Sequence, residues 1–196
     1  MLQIKNVDVC GLDHAVAASG YPTSTASYCV TRASVLGSCK PGTGHDCYLK
    51  GITVIADVTA PQYWWLQFQR YHFADIISSE SKMHTLLKMD LTTRCNQYVD
   101  PVIIGHLNKL IYQYNNQPDI PKDQQFQRII ANCPMGLMLK AAITTNYLQL
   151  KTIYHQRKNH RLKEWRMFCN WIKDLPLFAT LVLSPPTKCK GANHHD

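Results

Sequence analysis

No stretch of this chain strings together the roughly twenty apolar residues that crossing a bilayer takes, so a membrane-inserted protein is not expected. The opening residues, MLQIKNVDVCG, lack a basic segment running into a continuous apolar stretch and a small-residue cleavage site. That predicts a cytoplasmic location. Internal repeats and long linkers are also missing, and 196 residues suffice for one respectable core. One domain over residues 1–183 is therefore expected, with a flexible C-terminal tail over 184–196 where Pro185-Pro186 leads into a polar end. The 8 cysteines lack the close pairing of a zinc knuckle, and no Cys-His pair stands at helical spacing to suggest a thiol nucleophile. The one metal-like grouping, Cys29, Cys39, His45 and Cys47, has the wrong spacing, so no metal is expected and the thiols are read as reduced.

Acidic residues are outnumbered, giving a formal charge of +8 that favours anionic ligands. Much of the excess is local. Lys151, Arg157, Lys158, Arg161, Lys163 and Arg166 fall within sixteen residues, with His155 and His160 among them, on what reads as one helix, a turn and the start of the next. Such a cluster serves as a solvated helix face, as a nucleotide or flavin phosphate site, or, with Tyr154 and Trp165 to stack bases, as a nucleic-acid surface.

The most structured signal runs from Gly44 to His84. Lys50 to Thr59 alternates Ile52, Val54, Ala56 and Val58 against Thr53, Ile55 and Asp57, the period-two pattern of a strand with a buried face. Pro61 suits a first helical turn. Trp64, Trp65, Phe68, Tyr71 and Phe73 then predict a buried helix over Tyr63 to Ile77, in which Gln67, Arg70 and Asp75 need partners. An arginine in that setting is satisfied by a ligand or by pairing with Asp75 or Glu80. The polar run SSESK follows. Elsewhere, Leu2 to Val9 reads as a strand, His14 to Ser19 as a helix, Gly20 to Ser27 as a loop, and Tyr28 to Leu36 as a helix capped by Gly37. Pro101 to Tyr114, Pro121 to Ile130 and the amphipathic WRMFCNWIKDLPLF stretch read as further helices.

Gly44-His45 ahead of a strand, Pro61 at its junction with a helix, and Gln67 before Arg70-Tyr71-His72 resemble the motif of the flavin-dependent thymidylate synthases. That family carries a Gly-His, a Gln, an Arg-His-Arg triplet and a nearby serine. Here Arg70 takes the first arginine of the triplet, and Tyr71 and His72 replace the other two. The family's spacing lands on Glu80 at the serine place, or on Ser81 with a one-residue insertion. A second block repeats the family's order: Cys133-Pro134, an apolar strand, Asn146 opening a helix, then Arg157, His160 and Trp165. The family's arginine just ahead of the proline is represented only by the earlier Arg128.

The resemblance implies an α/β (α+β) fold, an antiparallel sheet flanked by helices. It also implies reductive methylation of dUMP to dTMP, with FAD as cofactor and NADPH and methylenetetrahydrofolate as co-substrates. Arg157 and Ser81 would be catalytic. Gln67, Arg70, Ser79, Ser81, Lys82 and Arg157 would hold dUMP. His45, Cys47, Arg70, Tyr71, His72, Ser78, Asn146 and His160 would hold FAD. A homotetramer with sites at subunit interfaces is implied too, and nucleic acid is not expected as a partner. Two alternatives stand beside this reading. One is a flavin protein on the same scaffold acting on another pyrimidine nucleotide; the other is a non-catalytic nucleic-acid-binding or assembly protein.

Overall fold

The computed structural model describes residues 1–116 and 119–184. They form β1 (Gln3–Cys10), α1 (Leu12–Ala18), α2 (Val30–Gly37), β2 (Thr53–Pro61), α3 (Gln62–Phe68), β3 (Ala74–Ser79) and α4 (Lys82–Thr85). Then come α5 (Leu91–Arg94), α6 (Pro101–Asn116), α7 (Lys122–Ala131), β4 (Met138–Asn146), α8 (Tyr147–Arg157) and α9 (Lys163–Asp174). The strands make one antiparallel sheet in the order β1-β2-β4-β3, flanked by helices, which is the expected fold class. No helix among the described residues is long and apolar enough to cross a membrane. Beyond Ser184 the expected C-terminal tail lies outside the described residues.

The alternation in β2 works as read: Ile52, Val54, Ala56, Val58 and Ala60 are buried, while Asp57 on the other face meets Lys140 of the neighbouring β4 at 2.9 Å. Downstream the expectation fails. The helix anticipated over Tyr63 to Ile77 is only α3, which ends at Phe68, and Ala74 to Ser79 is an edge strand paired with β4. Phe73, expected inside, is 67% exposed. Two turns, Tyr71 N–H to Phe68 O at 3.0 Å and Ala74 N–H to Tyr71 O at 3.2 Å, redirect the chain, and β-branched Ile76 and Ile77 suit the strand that follows. Pro61 likewise ends β2 and precedes the first turn of α3 instead of occupying it.

The chain divides into two compact units. The first comprises Met1–Lys5 and Asp57–Ile143. Its core gathers Leu86, Leu91, Leu107, Leu110, Ile129 and Leu137, with α6 packed on α7. Buried Gln125 of α7 donates from Nε2 to Leu110 O of α6 at 3.2 Å. Trp64 stacks on Phe68 with ring centroids 4.9 Å apart, and Trp65 meets Phe68 edge-on at 5.5 Å. These contacts bury the aromatic face of α3 despite its short length.

The second unit comprises Asn6–Ala56 and Thr144–Asp196. There α8 packs on α9 and on the 3₁₀ turn Cys47–Gly51, around buried Val16, Leu49, Tyr147, Trp165, Phe168 and Phe178. Tyr147 Oη donates to Pro176 O at 2.6 Å, and burial pushes that phenol's pKa up. Gly37, expected as the C-terminal cap, is instead the last residue of α2, followed by Ser38 in right-handed geometry. Close approach explains the glycine: a Cβ there would lie 2.2 Å from Leu181 O and 2.6 Å from Tyr48 Oη. Because one of those atoms is backbone, Gly37→Ala is expected to cost about 1–3 kcal/mol, read as a lowered urea midpoint with unchanged slope.

Candidate functional site

In the first unit, the residues singled out from sequence fall at the end of α3 and along β3 into α4. Gln67 is half-buried on α3, whereas Arg70 and His72 are exposed in the segment after it, with Tyr71 half-buried between them. Among the described residues the Arg70 guanidinium pairs with neither Asp75 nor Glu80, so of the two alternatives for it the ion pair is not formed. Arg94 of α5 takes Glu80 instead, and the same Nη2 donates to Met138 O at 3.2 Å. Glu80 also extends the pairing of β3 with β4: its N–H donates to Lys140 O at 2.8 Å, and its carboxylate accepts from Lys140 N–H at 3.3 Å. The carboxylate at the family's serine place is thus locked into the sheet edge.

Ser78 and Ser79 are exposed and line a cavity of about 440 Å³ with Asp57, Glu80, Arg94 and Lys140. Within that lining, Arg94 Nε is buried and has no acceptor. A buried N–H of a charged group without an acceptor is costly, so it marks a place where an anionic or carbonyl oxygen would be stabilised. Ser81 sits just before α4 in extended geometry, with its backbone oxygen accepting from Thr85 Oγ1 at 2.8 Å and no side-chain cap. Lys82 Nζ donates to Gln62 Oε1 at 2.6 Å, and Gln62 in turn donates to Pro134 O at 2.9 Å. That relay holds Lys82 beside the Cys133-Pro134 turn. Burial raises the Cys133 thiol pKa, partly offset by Lys82. Arg128, on α7, is paired with Asp119 at 3.6 Å.

In the second unit, Asn146 opens α8 as the sequence suggested, its Oδ1 accepting from Gln149 N–H at 2.9 Å. At the other end of α8, the Arg157 guanidinium lies 4.9 Å from the ring centroid of fully buried Trp165. His160 sits in the turn that follows. Its Nδ1 accepts from Leu162 N–H at 3.1 Å, leaving Nε2 to carry the proton, and burial with Arg157 and Arg166 lowers its pKa. Arg166 closes the turn by donating from Nη1 to His160 O at 2.7 Å and to Arg161 O at 2.8 Å.

His45 and Cys47 are exposed, but Asp46 between them is buried. Its Oδ2 accepts from Lys151 Nζ at 2.6 Å, and the same ammonium donates to Gly37 O at 2.8 Å and Cys39 O at 2.6 Å. Lys151 is therefore no member of a surface phosphate cluster, as its sequence neighbours suggested; it is 1% exposed and ties the segment carrying His45 to α8. Sequence reasoning missed Arg94, Asp46 and this role of Lys151. The only prior signal was the adjacency of Asp46 to His45.

The cysteines among the described residues are free, and burial raises the thiol pKa of Cys95 and takes that of Cys169 up to about 11. No group of three or more potential metal ligands converges among the described residues.

The sequence matches no protein-family model and no curated protein. Solved structures do match. Thymidylate synthase X from Helicobacter pylori, with FAD and dUMP, is 16% identical at a TM-score of 0.66, over 91% of this chain and 94% of that one. A second structure, the flavin-dependent thymidylate synthase of Helicobacter pylori complexed with FAD and dUMP, is 15% identical at a TM-score of 0.66, over 91% and 95%. This chain has the fold of the flavin-dependent thymidylate synthases.

Proposed function

We propose that the chain is a flavin-dependent thymidylate synthase that methylates dUMP to dTMP, with FAD as cofactor and NADPH and methylenetetrahydrofolate as co-substrates. The observation that carries this reading is the likeness in fold across 91% of the chain to enzymes solved with FAD and dUMP, together with motif residues in the family's order. The residues present suit the ligands. In the first unit, exposed Arg70 and His72 offer donors to flavin phosphates, Tyr71 and exposed Phe73 offer ring faces, and Ser78 adds a hydroxyl. In the second unit, His45, Cys47, Asn146 and the Nε2–H of His160 belong to the same cofactor reading.

Bound FAD would supply the redox step and the protein would supply orientation and charge. Gln67, Arg70, Ser79, Ser81 and Lys82 would bind dUMP through hydrogen bonds and cations, and buried Arg94 Nε lies ready for one more acceptor. Arg157, held against Trp165, would polarise a uracil carbonyl as negative charge develops on the ring, a contact stronger in the transition state than in the ground state. A homotetramer belongs to the same reading. It is supported by an apolar cavity of about 760 Å³ in the first unit, where Tyr98, Val102, Ile103 and Met135 are exposed.

A second reading keeps the scaffold and changes the substrate to another pyrimidine nucleotide. Tyr71 and His72 in place of the triplet's last two residues, and Glu80 at the family's serine place, favour it. One spectroscopic experiment separates the two. The purified chain is expected to retain FAD on ultrafiltration, and dUMP should shift its visible spectrum; Arg70→Ala should weaken that response about tenfold, the worth of one charge-assisted bond. Retained flavin with no dUMP response points to the other nucleotide, and no retained flavin removes both readings.

A further inference from the structure

The outer face of α6 is left uncovered within the first unit. Pro101, Val102, Gly105, Asn108, Lys109 and Tyr112 recur at steps of three or four residues, which places them on one side of the helix, and all are exposed. Leu107, Leu110 and Ile111 on the other side are buried in the core. With Tyr98 71%, Val102 77% and Tyr112 66% exposed, apolar surface extends along the helix and borders the cavity of about 760 Å³ that Tyr98, Val102, His106 and Met135 help to line. Gly105 sits in the middle of that face with no reason for it inside the chain: a Cβ there would meet nothing within 4 Å. A glycine in a helix interior costs stability against alanine, so this one is explained by something that approaches the helix from outside. Lys109 is the one formally charged residue on α6. Among the described residues neither it nor Asp100, whose carboxylate accepts from Val102 N–H at 2.8 Å, forms an ion pair.

We propose that α6 docks on α6 of a second copy of this chain, antiparallel, about a two-fold axis that passes by Gly105. In such an isologous pair a residue a given number of places before the axis meets the residue the same number of places after it, and every contact occurs twice. Lys109 of each copy then faces Asp100 and Pro101 of the other. Tyr112 of each copy reaches the other copy's Tyr98 and enters the cavity beside it, while the bare backbone at Gly105 lets the two helices approach closely at the crossing. Asp100 and Lys109 of one chain stand about 14 Å apart along the helix, too far to pair with each other. A face that carries its own counter-charge and its own ring to fill its own cavity is complementary to itself, which selects a second copy over an unrelated protein. This interface deepens the assembly part of the reading above, on which it rests only for there being more than one copy; it uses none of the ligand assignments.

Carbodiimide cross-linking of the unaltered full chain tests the assignment, because the reagent joins a carboxylate to an ammonium only where the two are in contact. An Asp100–Lys109 link is expected by mass spectrometry in the dimer band of a denaturing gel and not in the monomer band. Sedimentation equilibrium of Gly105→Leu gives the second test: the larger side chain meets nothing inside the chain, so the thermal midpoint should hold or rise, while self-association weakens at least about tenfold. A monomer at every concentration overturns this interface and the homotetramer with it. An oligomer that lacks the Asp100–Lys109 link, or one that Gly105→Leu leaves unchanged, overturns this interface alone. Flavin retention reports the ligand assignments separately, so a chain that gives the link and loses FAD supports the interface and removes the FAD reading.

Discussion

Lys151→Met is expected to destabilise the protein by about 3–5 kcal/mol, because it leaves the Asp46 carboxylate buried without its cation. The two side chains are 1% and 3% exposed, so water does not substitute for the lost partner. Two backbone carbonyls, Gly37 O and Cys39 O, lose their donor in the same substitution. Adding Asp46→Asn should restore part of the loss, since a neutral amide is less costly to bury than an unpaired carboxylate. Urea denaturation of both variants measures this directly. A loss below about 1 kcal/mol for Lys151→Met would mean that the 37–46 segment is held by something other than this ammonium. If the FAD reading of His45 and Cys47 is right, any loosening should also lower flavin retention, as those residues flank Asp46.

Under the proposed synthase activity, Arg157→Ala is expected to lower dUMP turnover by about a hundredfold, the usual effect of deleting one positioned donor to a developing charge. Its effect on folding should be far smaller, about 0.5–2 kcal/mol for the lost cation–π contact with Trp165. Arg157→Lys keeps the charge but not the planar fork, so it should recover stability more fully than turnover. Steady-state kinetics paired with thermal melts resolves these two effects. If dUMP affinity and turnover are both unchanged in Arg157→Ala, the arginine is a packing residue and the carry-over from the family motif fails at that position.

The sequence was legible wherever local rules dominate. Period-two burial marked β2, Asn146 announced the start of α8, and apolar residues at helical spacing marked α6 and α7. It misled where pairing partners are distant. The Tyr63 to Ile77 stretch carries enough aromatic residues for a long helix, but pairing with the distant β4 makes its last residues, from Ala74 on, the start of a strand. Short elements such as α4 and α5 left no periodic signal at all, and with α5 unseen, Arg94 went unnoticed.

Side-chain partners divide in the same way. Residue type alone identified a basic cluster around α8, and Arg157, Lys158, Arg161, Lys163 and Arg166 do follow one another at its end and beyond. Whether each charge faces solvent, a ring or a buried carboxylate depends on what the fold brings opposite it. Lys151 meets Asp46 across 105 residues of chain, Glu80 meets Arg94 and not the nearer Arg70, and Arg157 meets Trp165 only because a turn closed by Arg166 folds α9 back on α8. What the sequence determined by itself was local, the alternation of β2, the cap of α8 and the order of the motif residues whose family resemblance implied the fold class, because burial periodicity and capping act over a few neighbours. Tertiary structure decided which charges are paired and which remain available to a ligand, because Coulomb and hydrogen-bond partners are chosen by distance in space.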